Sequence, residues 1–158
     1  MEKKPIKRSP QLAPLSREHH EALLFVWKIR QGLKFEVSCD KLREFTLWFW
    51  KGHIKQHFFQ EEKILLPYLP VDHPMAEKMR TEHAQVRELV LSLDKEAEKE
   101  TFIQLTDLAE KHIRWEERKL FIHLEEVLTT PQLDTIYKAL EAHPVVCGEW
   151  DDVFWVKK

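Results

Sequence analysis

The chemistry-bearing residues of this sequence are its histidines and the carboxylates spaced around them. His57 and Glu61 are four apart, as are His112 and Glu116, so in a helix each pair stacks on one face. The His57 face continues through Phe49, Trp50 and Ile54 on one side and Ile64 and Leu65 on the other. The His112 face continues through Leu105, Leu108, Ala109 and Leu120. Both pairs therefore lie on apolar stripes, where an ionised carboxylate needs a partner. Two further segments offer single histidines. Leu15-Ser-Arg-Glu-His19 parallels Met79-Arg-Thr-Glu-His83 position by position. From His83 the apolar face runs through Val86, Val90 and Leu93, and from His19 through Ala22, Val26, Ile29 and Leu33. The neighbouring His20 leads through Leu23 and Trp27 to Arg30. His19 is the preferred inward residue, and His20 stays open as its alternative.

The chain thus carries a twofold internal pattern of a single His followed by a HxxxE pair. Four histidines and two glutamates converging in one core suit metal. Neutral imidazole binds iron, zinc, copper or nickel, and a carboxylate can bridge two cations. Two divalent ions would be half neutralised by Glu61 and Glu116, leaving room for a bridging oxide or hydroxide. Open positions would remain for dioxygen, peroxide or nitric oxide. A lone inward histidine is more often a satisfied core residue, and a lone HxxxE pair a local helix contact. Two pairs plus two singles on separate helices shift that balance to metal. The Glu-x-x-His spacing of ferritin-like bundles is missing from these inward faces.

The elements that must position these residues are helical. Apolar residues recur at three- and four-residue spacing, with only three glycines in 158 residues and no β-branched run. Helices are predicted over roughly 17–34 with Ser16 as N-cap, 40–66 stopped by Pro67 and Pro70, 74–96 opening on Pro74, and 99–128. Thr130-Pro131 opens a short fifth helix ending before His143-Pro144. The expected fold is all-α: an up-down antiparallel four-helix bundle over 15–128, with a short helix and tail over 129–158 packing on it. Residues 1–14, with three prolines, read as a loose tail or one ordered on contact.

Composition removes other classes. The formal charge is −2, from 25 Lys+Arg against 27 Asp+Glu, which argues against a phosphate-neutralising nucleic-acid binder. No phosphate-binding glycine loop is present, and Cys39 and Cys147 form neither a disulfide framework nor a CxxC motif. No apolar run is long enough for a membrane span. The basic first residues lack the apolar stretch of a signal peptide, so a cytoplasmic protein is expected.

Four segments carry a family resemblance: Leu-Ser-Arg-Glu-His-His (15–20), His-Phe-Phe-Gln-Glu-Glu-Lys-Ile-Leu-Leu-Pro (57–67), Thr-Glu-His (81–83) and His-Ile-Arg-Trp-Glu-Glu-Arg-Lys-Leu-Phe (112–121). With them, 15–128 resembles the hemerythrin-like (HHE cation-binding) domains. The resemblance implies a non-haem di-iron centre held by His19 (or His20), His57, His83 and His112, with Glu61 and Glu116 bridging. The oxygen carriers of that family have a fifth histidine four residues beyond the equivalent of His83. Arg87 stands there, so the chain looks closer to the four-His, two-Glu subgroup. That subgroup includes proteins implicated in iron-centre repair and nitrosative stress, and an iron-sensing module. The expected function is binding of O2, NO or peroxide in sensing or handling. The alternatives are an enzyme reducing peroxide or NO, an iron donor for repair, and a metal-free helical protein.

The remaining residues have plainer readings. His53, one turn before His57, is a polar residue near the site or an additional ligand of it. Glu62 and Glu117 read as partners for surface Arg and Lys. Glu18 and Glu82 are candidates to accept from the outer imidazole nitrogens. Trp50 and Trp115 read as core filling rather than walls of the site, and Cys147 as a thiol with nothing nearby to lower its pKa.

Overall fold

The computed structural model describes residues 7–157; the first six residues of the expected N-terminal tail lie outside them. The described chain is helical throughout its ordered elements, and it contains no strand. α1 spans Ala13–Lys34. It begins a turn earlier than Ser16 would dictate. Pro14 fits the first turn, where its missing N–H costs nothing, and Leu12 and Leu15 are fully buried there. That burial outweighs the lack of a side-chain cap, and Ser16, released from capping, turns its hydroxyl elsewhere. α1 stops where Glu36 takes a left-handed φ of 57°. Gly32 lets its last turns approach α2 and the C-terminal segment: an added Cβ would meet Leu42 at 2.6 Å and Phe154 at 2.9 Å.

The next stretch is one rod with interruptions. α2 (Cys39–Phe49) is capped by Ser38, whose Oγ accepts from the Lys41 N–H at 3.2 Å. A π-helical turn, Trp50–Ile54, leads into α3 (Lys55–Gln60). A second π turn, Glu61–Leu65, and a 3-10 turn, Leu66–Tyr68, finish it at Pro67. α4 (Pro74–Ser92) opens on Pro74, with His73 Nδ1 accepting from the Met75 N–H. It ends four residues short of the expected Glu96, because Leu93–Glu96 close in tight turns onto Val90–Ser92 carbonyls. α5 (Lys99–Trp115), a third π turn (Glu116–Leu120) and α6 (Phe121–Val127) form a second interrupted rod. α7 (Thr130–Ala142) starts in a capping box between Thr129 and Gln132.

α1 and α4 both pack on α5, α1 also meets α2 and the first π turn, and α7 lies against the second π turn. Among the described residues, every buried apolar side chain but Ile113 falls into one of two clusters. One holds Phe25, Phe45, Phe58, Val86 and Leu105 among others, and Phe154 of the C-terminal segment joins it. The other holds Leu12, Leu15, Leu65, Met79, Leu120 and Phe121, closed by Leu133, Ile136 and Leu140 of α7. Each of the four long stretches passes from one cluster into the other. At each crossing sit buried polar residues: His19, His57 with Glu61, His83, and His112 with Glu116. No described helix is long and apolar enough to cross a membrane.

Candidate metal centre

Six buried side chains meet between the two apolar clusters. Glu61, His83 and Glu116 have no exposed surface, and His19, His57 and His112 are at most 5% exposed. They form two groups, His19–His57–Glu61–Glu116 and Glu61–His83–His112–Glu116. Within each, one ligand-type atom per residue lies within 4.8 Å of the others. Both glutamates belong to both groups, and they divide their oxygens between them. Glu61 turns Oε2 to His57 (3.2 Å) and His19 (3.5 Å), and Oε1 to His83 (3.1 Å). Glu116 turns Oε1 to His19 (2.8 Å), and Oε2 to His112 (3.3 Å) and His83 (3.9 Å). His20, the alternative to His19, is exposed on α1 and belongs to neither group.

His19 Nε2 and Glu116 Oε1 are within hydrogen-bond distance, but most of the other inward atoms are unsatisfied. Both oxygens of Glu61, Oε2 of Glu116 and Nε2 of His57 are buried without a hydrogen-bond partner. His83 Nε2 and His112 Nε2 face each other at 3.1 Å. Two nitrogens on one cation at bonds of about 2.1 Å, at right angles, would be about 3 Å apart. Orphaned lone pairs converging from imidazole and carboxylate are what a cation site offers, and the nitrogen–oxygen donor set suits first-row transition metals. The residues present therefore fit a pair of metal ions.

Around these six lies a ring of carboxylates that orients the imidazoles. Glu18 lies 2.7 Å from His57 Nδ1, and Glu82 lies 2.7 Å from His112 Nδ1. Each therefore accepts from that nitrogen, so that Nε2 is the nitrogen turned inward. Glu117 does the same for His19 Nδ1 at 2.7 Å, and it also accepts from the Ser16 hydroxyl at 2.8 Å. Glu62 stands in the equivalent place beside His83 Nδ1, at 3.6 Å. The expectation that Glu62 and Glu117 serve surface cations is thus incomplete. Glu117 does pair with Arg8, whose guanidinium donates to the Glu117 carbonyl and to Glu125, but it serves His19 as well. Both follow a centre glutamate at the start of a π turn. The extra residue in that turn reduces the angle between neighbours, so consecutive glutamates can address an inner and an outer imidazole atom.

Charges follow this geometry. Burial disfavours the imidazolium of His57, yet the Glu61 charge and the hydrogen bond to Glu18 outweigh it and hold the group up to about 9. His112 is likewise pushed down by burial and raised further by Glu116 and Glu82, to about 10. His19 and His83 are raised too, against burial, by the carboxylates they face. Burial would raise the Glu61 carboxyl, but the His57 charge and its imidazole neighbours carry it well below the usual carboxylate range. Without a cation, protons on the imidazoles supply the positive charge this core requires.

His53 lies outside both groups. It is buried, stacked on Phe49 with ring centroids 4.6 Å apart, and its Nε2–H donates to the Glu18 carbonyl at 2.9 Å. Burial, then the neighbouring His57, keeps its pKa low. Trp50 is buried in the first apolar cluster, while Trp115 is half-buried beside His112 at 6.0 Å. Burial raises the Cys147 thiol. Among known proteins, no family model matches the chain, and no curated protein or solved structure matches it.

Proposed function

We propose that this chain is a hemerythrin-like, non-haem di-iron protein of the cytoplasm. In this reading α1, the 39–68 rod, α4 and the 99–127 rod run up and down as an antiparallel four-helix bundle. Its function is to bind a small ligand (dioxygen, nitric oxide or peroxide) in sensing or handling oxygen, iron or nitrosative stress. One observation carries the reading: Glu61 and Glu116 each present one oxygen to each of two buried histidine pairs. Splitting its two oxygens between two ligand groups is what a carboxylate bridging two cations does.

His19 and His57 would hold one ion, His83 and His112 the other, and Glu61 and Glu116 would bridge them. Bound iron, linked by an oxide or hydroxide, would supply redox-active coordination positions that six protein ligands leave open. The chain's own residues perform the rest. Glu18, Glu82 and Glu117 keep a proton on Nδ1 of His57, His112 and His19, so that Nε2 stays a donor of electrons. Phe58, stacked on His83 at 3.6 Å, and Phe121, stacked on His19 at 5.3 Å, exclude water from both ends.

The test is metal analysis of protein purified anaerobically from iron-replete cells, with absorption spectra before and after oxygen. Two iron ions per chain, matching the two groups, and a new charge-transfer band on oxygenation are expected. No iron, or a single zinc with no spectral change, would overturn the assignment.

A further inference from the structure

Two cavities meet at one partition. A groove of about 940 Å³ runs between α1, α2, the end of α7 and the C-terminal segment. A small internal cavity of about 30 Å³ lies against His19, His57 and His112. Apart from imidazoles, the internal walls are carbon, including Ala22, Phe58 and Val86. Among the described cavities, only the groove shares lining residues with it, and the shared residues are Phe25 and His53. The partition is a stack: Phe25 on Phe49 and Phe49 on His53, each with centroids 4.6 Å apart.

We infer that small uncharged ligands reach the centre from this groove, through the Phe25–His53 partition, with the His53 ring as the movable pane that sets the size limit. The identity of what the ligand meets rests on the dinuclear reading; the port itself does not. Three features support it. The internal space holds little more than one small molecule, and its apolar walls repel ions and favour an uncharged guest. His53 is held from the groove side by one hydrogen bond, to a main-chain carbonyl, so its ring can swing without disturbing a carboxylate. It also sits on the Trp50–Ile54 π turn, the one place where this rod departs from α geometry before the centre. The C-terminal segment rests on that turn: a Cβ at Gly52, the residue before His53, would lie 3.0 Å from Cys147 Sγ. Phe25 and Phe49 belong to the packed apolar core, whereas His53, buried like them, is outside that cluster and is the member of the stack held by a single polar contact.

The experiment compares wild type, His53→Ala, His53→Phe and Ile136→Val. Ile136 is buried in the opposite apolar cluster and reports on general loosening. Xenon NMR on the protein, both metal-free and after zinc addition, gives the rate of exchange into the internal cavity. Stopped-flow mixing of nitric oxide with ferrous protein gives the rate of reaching the centre. His53→Ala should raise both rates about tenfold, the equivalent of one lost hydrogen bond in the barrier. His53→Phe keeps a ring of similar size without that bond and should also be faster. Ile136→Val should match wild type. Rates unchanged in both His53 variants, or raised as much by Ile136→Val, would overturn the port. A protein that takes no metal, yet exchanges xenon faster in His53→Ala, would keep the port and remove the dinuclear reading.

Discussion

Glu61 and Glu116 differ from the four histidines in what their loss must do. Each has an oxygen in both groups, whereas His57 serves only one. Glu61→Ala is therefore expected to lower bound metal from two ions per chain to fewer than one, while His57→Ala leaves about one. Metal analysis after gel filtration checks this, and equal losses would remove the bridging role. The imidazoles add a pH dependence. In an unfolded chain a histidine titrates near ~6.5; in the folded metal-free chain His57 is held up to about 9 and His112 up to about 10. Their contribution to stability is complete below the unfolded value and is lost as pH rises through the folded ones. The metal-free protein should thus melt at falling temperature from about pH 6.5 towards 10, while metal, which competes with the same protons, binds more tightly over that interval. Calorimetry at several pH values with and without metal tests both signs, and parallel slopes would contradict them. The pairs His57/Glu61 and His112/Glu116 were legible in the sequence, because helical spacing alone puts i and i+4 on one face. Glu62 and Glu117 were not, since ordinary α spacing turns them about 100° away. The preference for His19 over His20 was legible too, because Val26 and Ile29, spaced from His19, are the residues α1 buries, whereas His20 is exposed.

At the scale of elements, the three π turns are where the chain departs from simple periodicity. Two of them start on Glu61 and Glu116, and no residue pattern announces a π turn in advance. Helix type was readable from the apolar spacing, and so were the proline-marked ends at Pro67 and Pro74. The start of α1 was not. Ser16 is a good cap by type, but burying Leu12 and Leu15 is worth more than one capping bond. The pre-helical stretch is consequently part of the core: Leu12 is fully buried, and Arg8 pairs with Glu125 at 2.8 Å. Leu12→Ala should cost about 2–5 kcal/mol, as for a large core side chain. A urea midpoint unchanged by the substitution would return this segment to a loose tail. Arg8→Ala should leave the fold intact but release Glu117 from one side, so retention of added metal during dialysis should fall while the urea midpoint changes little.

The whole molecule places a charged layer between two apolar clusters, and that layer makes stability depend on what fills it. Two carboxylates without exposed surface, among four buried imidazoles, carry a desolvation cost that the facing opposite charges must offset. The chain reaches this layer four times from distant points of the sequence, so the ligand set exists only when the helices are assembled. Any ion that binds there binds the folded state alone, and it must stabilise that state by mass action. The gain is about 2.7 kcal/mol when free metal is a hundredfold above its dissociation constant. The melting temperature should accordingly rise with the logarithm of free ferrous iron or zinc, and a chelator should reverse the rise. Glu61→Ala should be insensitive to metal over the same range even if it melts at a similar temperature without it. This comparison separates two physical accounts of the same core. If the six side chains were only an ion-paired staple, the wild type would ignore metal. If they are ligands held ready, the wild type responds to metal through the Glu61 and Glu116 oxygens that have no hydrogen-bond partner, and Glu61→Ala abolishes that response.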